Sequence, residues 1–311
     1  MELKSKKEKV KRQIEDGRCP PAGRQGKWKK EDGKKLPASL FILFTFSFLF
    51  IMGSSNPNKW VDSLPKPWTL NEKQISEILP QFYQHYPDFH DRLKAFALWQ
   101  VGKPYEIFKL GDEVEPDTDP IIRLDVSDCT VHVLTSLAFS QSKSWKEARS
   151  NMIAIHYKDG IPSYKSRWHY TTDRIQENPS TVNITENILD RDHLEKVDII
   201  LNKKEDNSEF LDLGWEKKTS VYFIPNHEIN NKLLLKFPDV CGVAFVRKKY
   251  FKIGIVIAHE GMIIDGKNLV HASSEYGETV NVDFMKYYFR EDGPVFDGIL
   301  IYSFHPLPGT N

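Results

Sequence analysis

The segment 125–130 (DVSDCT), followed at once by an apolar run over 131–139, constrains the fold more than any other part of the chain. Ser127 and Asp128 are residue types that cap helices, so the pattern predicts a helix with Cys129 in its first turn. Apolar residues cover nearly every side of this helix, which predicts that it is buried. The unpaired N–H groups and the positive dipole end at its N-terminus would stabilise a thiolate. Cys129 is therefore either a reactive nucleophile or an ordinary buried cysteine.

Charge is distributed unevenly along the 311 residues. Residues 1–36 carry 13 Lys/Arg and 6 Asp/Glu, while the remainder carries 30 and 37. The first segment is thus a basic N-terminal tail, and the rest of the chain is mildly acidic. Because phosphate binding needs clustered cations on the folded part, nucleic acid is not an expected partner.

An uncharged apolar stretch over 40–52 (LFILFTFSFLFIM) follows the basic residues Lys34 and Lys35 and precedes the small residues at 53–55. As a helix it would be roughly 20 Å long, short of the roughly 30 Å of a bilayer core. A basic, then apolar, then small-residue order is typical of a secretory signal. We therefore predict a signal peptide or membrane anchor at 37–55, with membrane contact only through this N-terminal segment. The globular part would be exported, either periplasmic or tethered facing the periplasm.

The remaining chain divides into a Pro-rich linker at 56–68 and one domain at 69–311. Helical patterns come first and strand patterns second, which predicts an α+β fold. A polar excursion rich in Asp, Glu and Lys is predicted near 190–215. The expected helices are a capping-box helix from Thr69 to near Pro80, then Asp88 to Val101, and Trp145 to His156. The expected strands are Ser220–Pro225, Val243–Lys248, Lys252–Ala258 and Asn268–Ala272.

Two turn signals fall between the last predicted strands, Glu260-Gly261 and Asp265-Gly266. They predict an antiparallel meander whose register depends on which of the two forms the turn.

Cysteine and histidine usage argues against disulfide and metal chemistry. Cys241 lies in an apolar run that predicts a buried strand, so we do not expect it to pair with Cys129. The ten histidines and three cysteines show no ligand-like clustering, and no phosphate-binding glycine loop is present. No metal and no cofactor are predicted.

Four motifs follow one another in an order that resembles NlpC-type papain-like cell-wall cysteine hydrolases. They are Gly102-Lys-Pro104-Tyr105, Asp128-Cys129-Thr130, Lys252-Ile-Gly254-Ile255 and Leu269-Val-His271-Ala272-Ser273-Ser274. Two further segments, Tyr157-Lys-Asp-Gly160 and Ser166-Arg167-Trp-His169-Tyr170, resemble the N-acetylmuramoyl-L-alanine amidase-like branch, formerly a domain of unknown function. The resemblance covers roughly residues 93–302.

This resemblance implies a papain-like fold in which the nucleophile helix packs on an antiparallel sheet. It implies hydrolysis of the amide between N-acetylmuramic acid and L-alanine in peptidoglycan, through a thioester on Cys129. His271 matches the third triad member, which orients the base. The resemblance also implies a substrate cleft, to which we assign Asp128, Arg167, His169 and Tyr105. Read without the resemblance, His271 would be a satisfied sheet histidine and Arg167 a solvated loop cation.

One position departs from the resemblance. Where a histidine base is expected, before an Ile-Gly pair, the chain has Lys252, which is a cation at its usual pKa near 10.4. Lys252 would act as a desolvated base, or favour the thiolate electrostatically. Alternatively His169 or His271 would be the base, with Lys252 and His271 opposite one another in a hairpin. His259 is predicted to lie too far from Lys252 to substitute directly, and His132 to pack or face away.

These observations lead to three hypotheses. The first is an exported, monomeric cysteine amidase that acts on muropeptides. The second is a catalytically impaired cell-wall-binding protein of the same fold, because Lys252 replaces the base. The third is an acyltransferase or peptidase on the same scaffold, since fold does not fix the reaction.

Overall fold

The computed structural model describes residues 58–107 and 121–309. The basic tail, the predicted signal or anchor segment at 37–55 and the start of the linker lie outside these residues. In the described part of the chain, no helix is both long and apolar enough to cross a bilayer.

The described residues form nine α-helices and ten strands in mixed order. The helices are α1 (Asn58–Ser63), α2 (Glu72–His85), α3 (Phe89–Trp99), α4 (Cys129–Phe139), α5 (Trp145–His156), α6 (Thr171–Glu177), α7 (Thr185–Ile188), α8 (Asn231–Leu234) and α9 (Phe284–Tyr288). The strands are β1 (Thr181–Asn183), β2 (Glu195–Leu201), β3 (Lys217–Pro225), β4 (Val240–Val246), β5 (Ile257–Ile264), β6 (Asn268–Ser273), β7 (Glu278–Asp283), β8 (Phe289–Arg290), β9 (Gly293–Pro294) and β10 (Gly298–Phe304).

Side-chain caps fix where the principal helices begin, because they satisfy N–H groups that the first turn leaves unpaired. Asp128 accepts from the Val131 amide at the start of α4, and Ser144 caps α5. The helix predicted from Thr69 begins later, since the capping box is formed by Asn71 with Gln74. Pro80 lies inside α2 instead of ending it.

An antiparallel sheet of eight strands forms the centre of the described domain. Its order is β2-β3-β10-β4-β5-β6-β7, and β1 pairs with the end of β10. The strand pairs are all antiparallel, so the predicted α+β class is confirmed. Helix α4 packs on β5 and β6, as the sequence predicts for the cysteine helix.

Side chains of the central strands alternate between two apolar clusters, one on each face of the sheet. In β4, Ala244 packs with α2–α5 on one face, and Phe245 packs with α9 on the other. The period of two along a strand produces this alternation. The free thiol of Cys241 is buried in the second cluster, consistent with the predicted buried strand position.

The predicted strand at Lys252–Ala258 is wrong. Residues Lys248–Ile253 form a 3-10 helix that ends at Gly254 with φ of +73°. A Cβ at this glycine would lie 2.5 Å from the Lys203 amide nitrogen, so only glycine fits there. The strand begins at Ile257.

Only one of the two turn signals forms the turn between β5 and β6. Asp265 and Gly266 have φ of +53° and +59°, as a tight hairpin turn requires. Glu260 and Gly261 lie inside β5 instead. A Cβ at Gly261 would come within 2.8 Å of the His271 Cβ, so this glycine permits close approach of the two strands.

The predicted polar excursion near 190–215 contains more structure than the sequence indicates. Residues Glu195–Leu201 form the edge strand β2, which pairs with β3 along its whole length. Burial alternates only weakly along β2, so its sequence lacks a clear strand pattern and its charged residues favour a solvated excursion instead.

Candidate active site

Cys129 is the first residue of α4, and its thiol is partly buried against β5. The backbone amide of Glu260 hydrogen-bonds to the sulfur. This contact places the cysteine beside the middle of β5, where the sequence predicts a turn. The predicted position of Cys129 in the first turn of a buried helix is confirmed.

The electrostatic environment of the thiol differs from the expectation. Burial, together with the nearby carboxylates of Asp128 and Glu260, raises the pKa of Cys129 to about 12. These effects outweigh the hydrogen bond from the Glu260 amide and the helix dipole, which favour the thiolate. Cys129 is therefore a thiol at neutral pH and requires a base to become a nucleophile.

Glu260 is buried at the centre of a polar network next to the cysteine. Its Oε1 accepts from the hydroxyls of Thr130 (2.8 Å) and Thr171 (3.3 Å). Its Oε2 accepts from Arg174 Nη2 (2.5 Å) and Tyr302 OH (2.7 Å). Desolvation raises the pKa of the Glu260 carboxyl, whereas Arg174 lowers it. The net result is a pKa below the usual value. The network ties α4, α6, β5 and β10 together around an ionised carboxylate.

Two histidines lie beside this network and contact one another. His259 precedes Glu260 on β5, and its Nε2 lies 2.7 Å from Nδ1 of His271 on β6. Burial lowers the pKa of His259 to about 4, against the opposing effect of Glu260. Burial also lowers the pKa of His271, and the neighbouring His259 and His132 lower it further. Both rings are thus neutral at pH 7, as a proton acceptor must be.

The register between β5 and β6 explains how these rings meet. The two strands pair through Met262–Val270, Ile263–Leu269 and Ile264–Asn268, next to their turn. Extending this register places Gly261 beside His271, which agrees with the close approach of these two residues. The hydrogen bond between His259 and His271 spans the strands where this ladder has ended.

The expectation that Lys252 and His271 lie opposite one another is wrong. Lys252 is exposed on the 3-10 helix before β5, and its carbonyl accepts from the Glu205 amide. His259, which the sequence reading set aside, occupies the strand position next to the cysteine. The usable signal was His259-Glu-Gly261 followed ten residues later by His271. It was obscured because Glu260-Gly261 was assigned to a turn.

Two of the predicted substrate-binding residues lie at the start of α4. Tyr105 bridges to Ser127, two residues before the cysteine, and its amide donates to the Gly277 carbonyl. Asp128 is the N-cap of α4. Lys103, the buried lysine of the same motif, donates to the Arg123 carbonyl (2.7 Å) and so fixes the chain leading to Cys129.

Arg167 and His169 belong to the loop before α6. The first residue of α6, Thr171, donates a hydrogen bond to Glu260. Arg167 bridges to Tyr157 by its backbone, and its guanidinium lies 5.8 Å from the Tyr164 ring centre. His169 Nε2 contacts the Tyr164 carbonyl at 2.5 Å, so this ring is held within its own loop. His132 is buried on α4, as predicted.

Over residues 58–107 and 121–309, no group of three or more His, Cys, Asp or Glu could hold a metal ion. These residues present a thiol that contacts the Glu260 amide, and a neutral imidazole pair whose member His259 precedes Glu260 on β5.

Comparison with known proteins identifies the family. The model of the AmiA-like family, described as N-acetylmuramoyl-L-alanine amidase-like, matches residues 95–294. The chain belongs to this family. The matched region includes Cys129, His259 and His271, and it lies within the range of the resemblance seen in the sequence. No curated protein matches the chain.

Solved structures share the fold at low sequence identity. A Legionella pneumophila protein that carries the family model DUF1460 is 20% identical with a TM-score of 0.62, covering 77% of this chain and 97% of its own. An N-acetylmuramoyl-L-alanine amidase from Bacteroides uniformis is 21% identical with a TM-score of 0.56, covering 70% of this chain and 99% of its own. At this identity the likeness is one of fold.

Proposed function

We propose that this member of the AmiA-like family is a cysteine amidase that hydrolyses the bond between N-acetylmuramic acid and L-alanine in peptidoglycan. The observation that carries the proposal is the hydrogen-bonded pair His259–His271. His259 immediately precedes Glu260, whose backbone amide contacts the Cys129 sulfur. The family assignment and the fold shared with an amidase support the substrate class. In this proposal the site works as in papain-like hydrolases, with the thiol on a helix activated by an imidazole on the sheet.

The first half-reaction begins with proton transfer from the Cys129 thiol to His259. The accepting nitrogen is Nδ1, because Nε2 bonds His271. The sulfur then attacks the lactyl carbonyl carbon, and the oxyanion that forms is stabilised by amides at the start of α4. The C–N bond breaks, and the L-alanine nitrogen leaves with the proton held by His259. The muramoyl lactyl group remains on Cys129 as a thioester.

The second half-reaction restores the thiol. His259 takes a proton from water, and the resulting hydroxide equivalent attacks the thioester carbonyl. The C–S bond breaks, and the proton on His259 returns to the sulfur. The products are a muramic acid carboxylate and a free stem peptide with an L-alanine amino terminus.

The high pKa of Cys129 assigns a specific task to His259. A thiol of pKa about 12 is almost entirely protonated at pH 7. Attack therefore requires that His259 first take the thiol proton, a step that an enzyme with a standing thiolate does not need.

Incubation of the chain with purified muropeptides tests the proposal. Mass spectrometry should detect free stem peptide with wild-type protein and with Cys241→Ala, which removes a buried thiol elsewhere. Cys129→Ala should release none. Equal release by Cys129→Ala and wild-type protein would contradict the proposal.

A second candidate function is muropeptide binding without turnover, which the raised pKa of Cys129 favours. It predicts saturable binding, no released peptide and alkylation of Cys129 no faster than that of an unactivated thiol. Alkylation that is faster in wild-type protein than in His259→Ala would exclude it.

We also propose that the enzyme works outside the cytoplasm as a monomer, attached to the membrane at most through residues 37–55. The substrate lies there, and the apolar stretch at 40–52 with its preceding lysines supports export. Cell fractionation of the tagged full chain, compared with a chain lacking residues 37–55, tests the location. Cytoplasmic recovery of both would contradict export.

A further inference from the structure

The loop that carries two of the predicted substrate-binding residues ends beside the candidate nucleophile. This loop, residues 158–170 (the cleft loop), contains Arg167 and His169. Helix α6 follows it directly, and the first residue of α6 donates to Oε1 of Glu260 (3.3 Å). The backbone amide of Glu260 contacts the Cys129 sulfur. The conformation of the cleft loop therefore decides where its side chains lie relative to the thiol.

Backbone hydrogen bonds close the cleft loop at its base. The amide of Lys158 donates to the Ser166 carbonyl (2.7 Å), and the amide of Trp168 donates to the His156 carbonyl (3.0 Å). These bonds set the shape of the loop and attach it to the end of α5. Its position relative to α6 depends on contacts of its side chains.

The side chain of Lys158 links the cleft loop to two other parts of the domain. Its Nζ donates to Oδ2 of Asp173 on α6 (2.8 Å). The same ammonium lies 4.6 Å from the ring centre of Trp168 in the loop and 4.9 Å from that of Trp215, which precedes β3. A cation within about 6 Å of an indole ring centre is attracted to the ring, and more strongly where water is excluded. One cation thus joins the loop, α6 and the chain before β3.

Residues 202–217 (the supporting segment) pack on the other end of the cleft loop. Tyr170, the last residue of the loop, meets Trp215 edge to face, with 5.6 Å between ring centres. Its hydroxyl donates to Oδ1 of Asn202 (2.7 Å), and Asn202 Nδ2 donates to the Trp215 carbonyl (2.8 Å). This part of the predicted polar excursion therefore supports the loop that borders the thiol.

Asp173 is a buried carboxylate that two lysines compensate. Its side chain is 1% exposed, whereas that of Lys158 is 30% exposed. Its Oδ1 accepts from Lys217 Nζ at 2.5 Å, and Lys217 also pairs with Glu177. A buried charge without a partner destabilises a fold strongly, but Lys217 keeps Asp173 paired when Lys158 is removed. Loss of Lys158 should therefore loosen the cleft loop without unfolding the domain.

We propose that Lys158 is a positioning residue, whose ammonium fixes the cleft loop against α6 and the supporting segment and so holds Arg167 and His169 where substrate binds. This inference rests on the proposed function. It assigns Lys158 a role through the loop, with no part in the chemistry at the thiol. Its loss should weaken substrate binding and leave the chemical step intact.

Kinetics of stem-peptide release by the full chain test this role. Lys158→Met keeps a long side chain beside the two tryptophans and removes the charge. It should raise KM about 10-fold and change kcat by less than about twofold, because a displaced loop misplaces the groups that hold substrate. Lys158→Arg, whose guanidinium binds both carboxylates and aromatic faces, should bring KM back to within about threefold of the wild-type value. An unchanged KM in Lys158→Met, or a lower kcat at unchanged KM, would overturn the inference.

Lys217→Met is the matched control. It removes the other lysine that pairs with Asp173, and it leaves Lys158 on Asp173 and on both tryptophan rings. Its KM should stay within about twofold of the wild-type value, because a partly exposed ion pair contributes little. An equal rise of KM in Lys217→Met and Lys158→Met would overturn the inference, since loss of charge beside Asp173 would then explain both.

Hydrogen exchange reports on the loop without any substrate. Peptides covering the cleft loop should exchange about 10-fold faster in Lys158→Met than in wild-type or Lys217→Met protein, with unchanged exchange in α4. Equal exchange in the three proteins would overturn the inference. In the unaltered chain the amides of Lys158 and Trp168 should exchange slowly, because both are hydrogen-bonded. Rapid exchange there would overturn the inference even if Lys158→Met does not fold.

The two proposals can fail separately. Loop exchange that depends on Lys158, with no stem-peptide release by any variant, would contradict the proposed function and support the fixing of the loop by Lys158. Stem-peptide release with a KM and a loop exchange that do not depend on Lys158 would contradict this inference alone.

Discussion

Glu260 and His259 are neighbours on β5, but their surroundings differ in kind. The Glu260 carboxylate accepts four hydrogen bonds from four side chains and stays ionised. The histidine pair of His259 and His271 has one hydrogen bond between its rings, and Nε2 of His271 is buried and unpartnered within the described residues. The first arrangement holds a charge and fixes α4 against the sheet. The second keeps neutral groups free to move a proton.

The difference shows how one strand supports both structure and chemistry. A buried carboxylate with four donors is held rigidly, because each donor loses its partner if the carboxylate moves. An unsaturated cluster costs stability, and proteins retain such a cost where function requires it. The following predictions test this separation of roles.

Acidification should produce the largest effect, and it should act on the buried histidines. The folded-state pKa values of His132, His156, His259 and His271 are all lowered. As the pH falls, these histidines become protonated in the unfolded state before they do in the folded state. Their contribution to stability is therefore complete above pH 6.5 and falls as the pH drops toward 4. Each of these histidines should lower the free energy of unfolding by about 1.2 kcal/mol between pH 7 and pH 5.5.

Urea unfolding at a series of pH values measures this effect. Glu228 raises the pKa of exposed His193, so the contribution of His193 to stability has the opposite pH dependence: it is present at low pH and is lost as the pH rises. His132→Leu should reduce the pH dependence by one proton. A free energy of unfolding that is constant from pH 7 to pH 5.5 would show that these histidines are not buried and neutral.

Loss of Arg174 should have the next largest effect, this time on the Glu260 network. Arg174→Met leaves a buried carboxylate uncompensated and should destabilise the fold by about 3–5 kcal/mol. The double variant Arg174→Met, Glu260→Met removes both charges and should recover much of this loss. Thermal or urea unfolding measures both. A double variant less stable than the single one would contradict the assignment of a compensated ion pair.

Removal of one neutral donor to Glu260 should have a smaller effect. Tyr302→Phe deletes a buried hydrogen bond to an ionised acceptor and should cost about 1.5–3 kcal/mol. The matched variant Tyr288→Phe deletes a bond from a buried tyrosine to the neutral Asn226 amide oxygen and should cost about 0.5–1.5 kcal/mol. Equal costs in urea unfolding would indicate that Glu260 is protonated in the folded state.

Much of this arrangement could be predicted from the sequence where the determinants are local. Asp128 caps α4, Ser144 caps α5, and the Asp265-Gly266 turn joins β5 to β6, because each depends on residues within a few positions. The cysteine at the helix start and the importance of His271 follow from such signals.

The partner of His271 could not be obtained in this way, because it depends on contacts between distant residues. Gly254 requires its conformation because the Lys203 backbone approaches it, and this contact delays the start of β5. Gly261 is needed where two strands come close, although the pair Glu260-Gly261 resembles a turn. Without these two long-range contacts, the local pattern favours Lys252 over His259 as the base. The Arg174–Glu260 ion pair joins residues 86 positions apart and left no local pattern.

The rate of stem-peptide release by His259→Ala and Lys252→Ala proteins tests the central claim most directly. We predict that His259→Ala lowers kcat/KM by about 10²–10⁴-fold, as loss of a general base does, while Lys252→Ala retains the wild-type value. Loss of activity in Lys252→Ala with activity retained in His259→Ala would contradict the account.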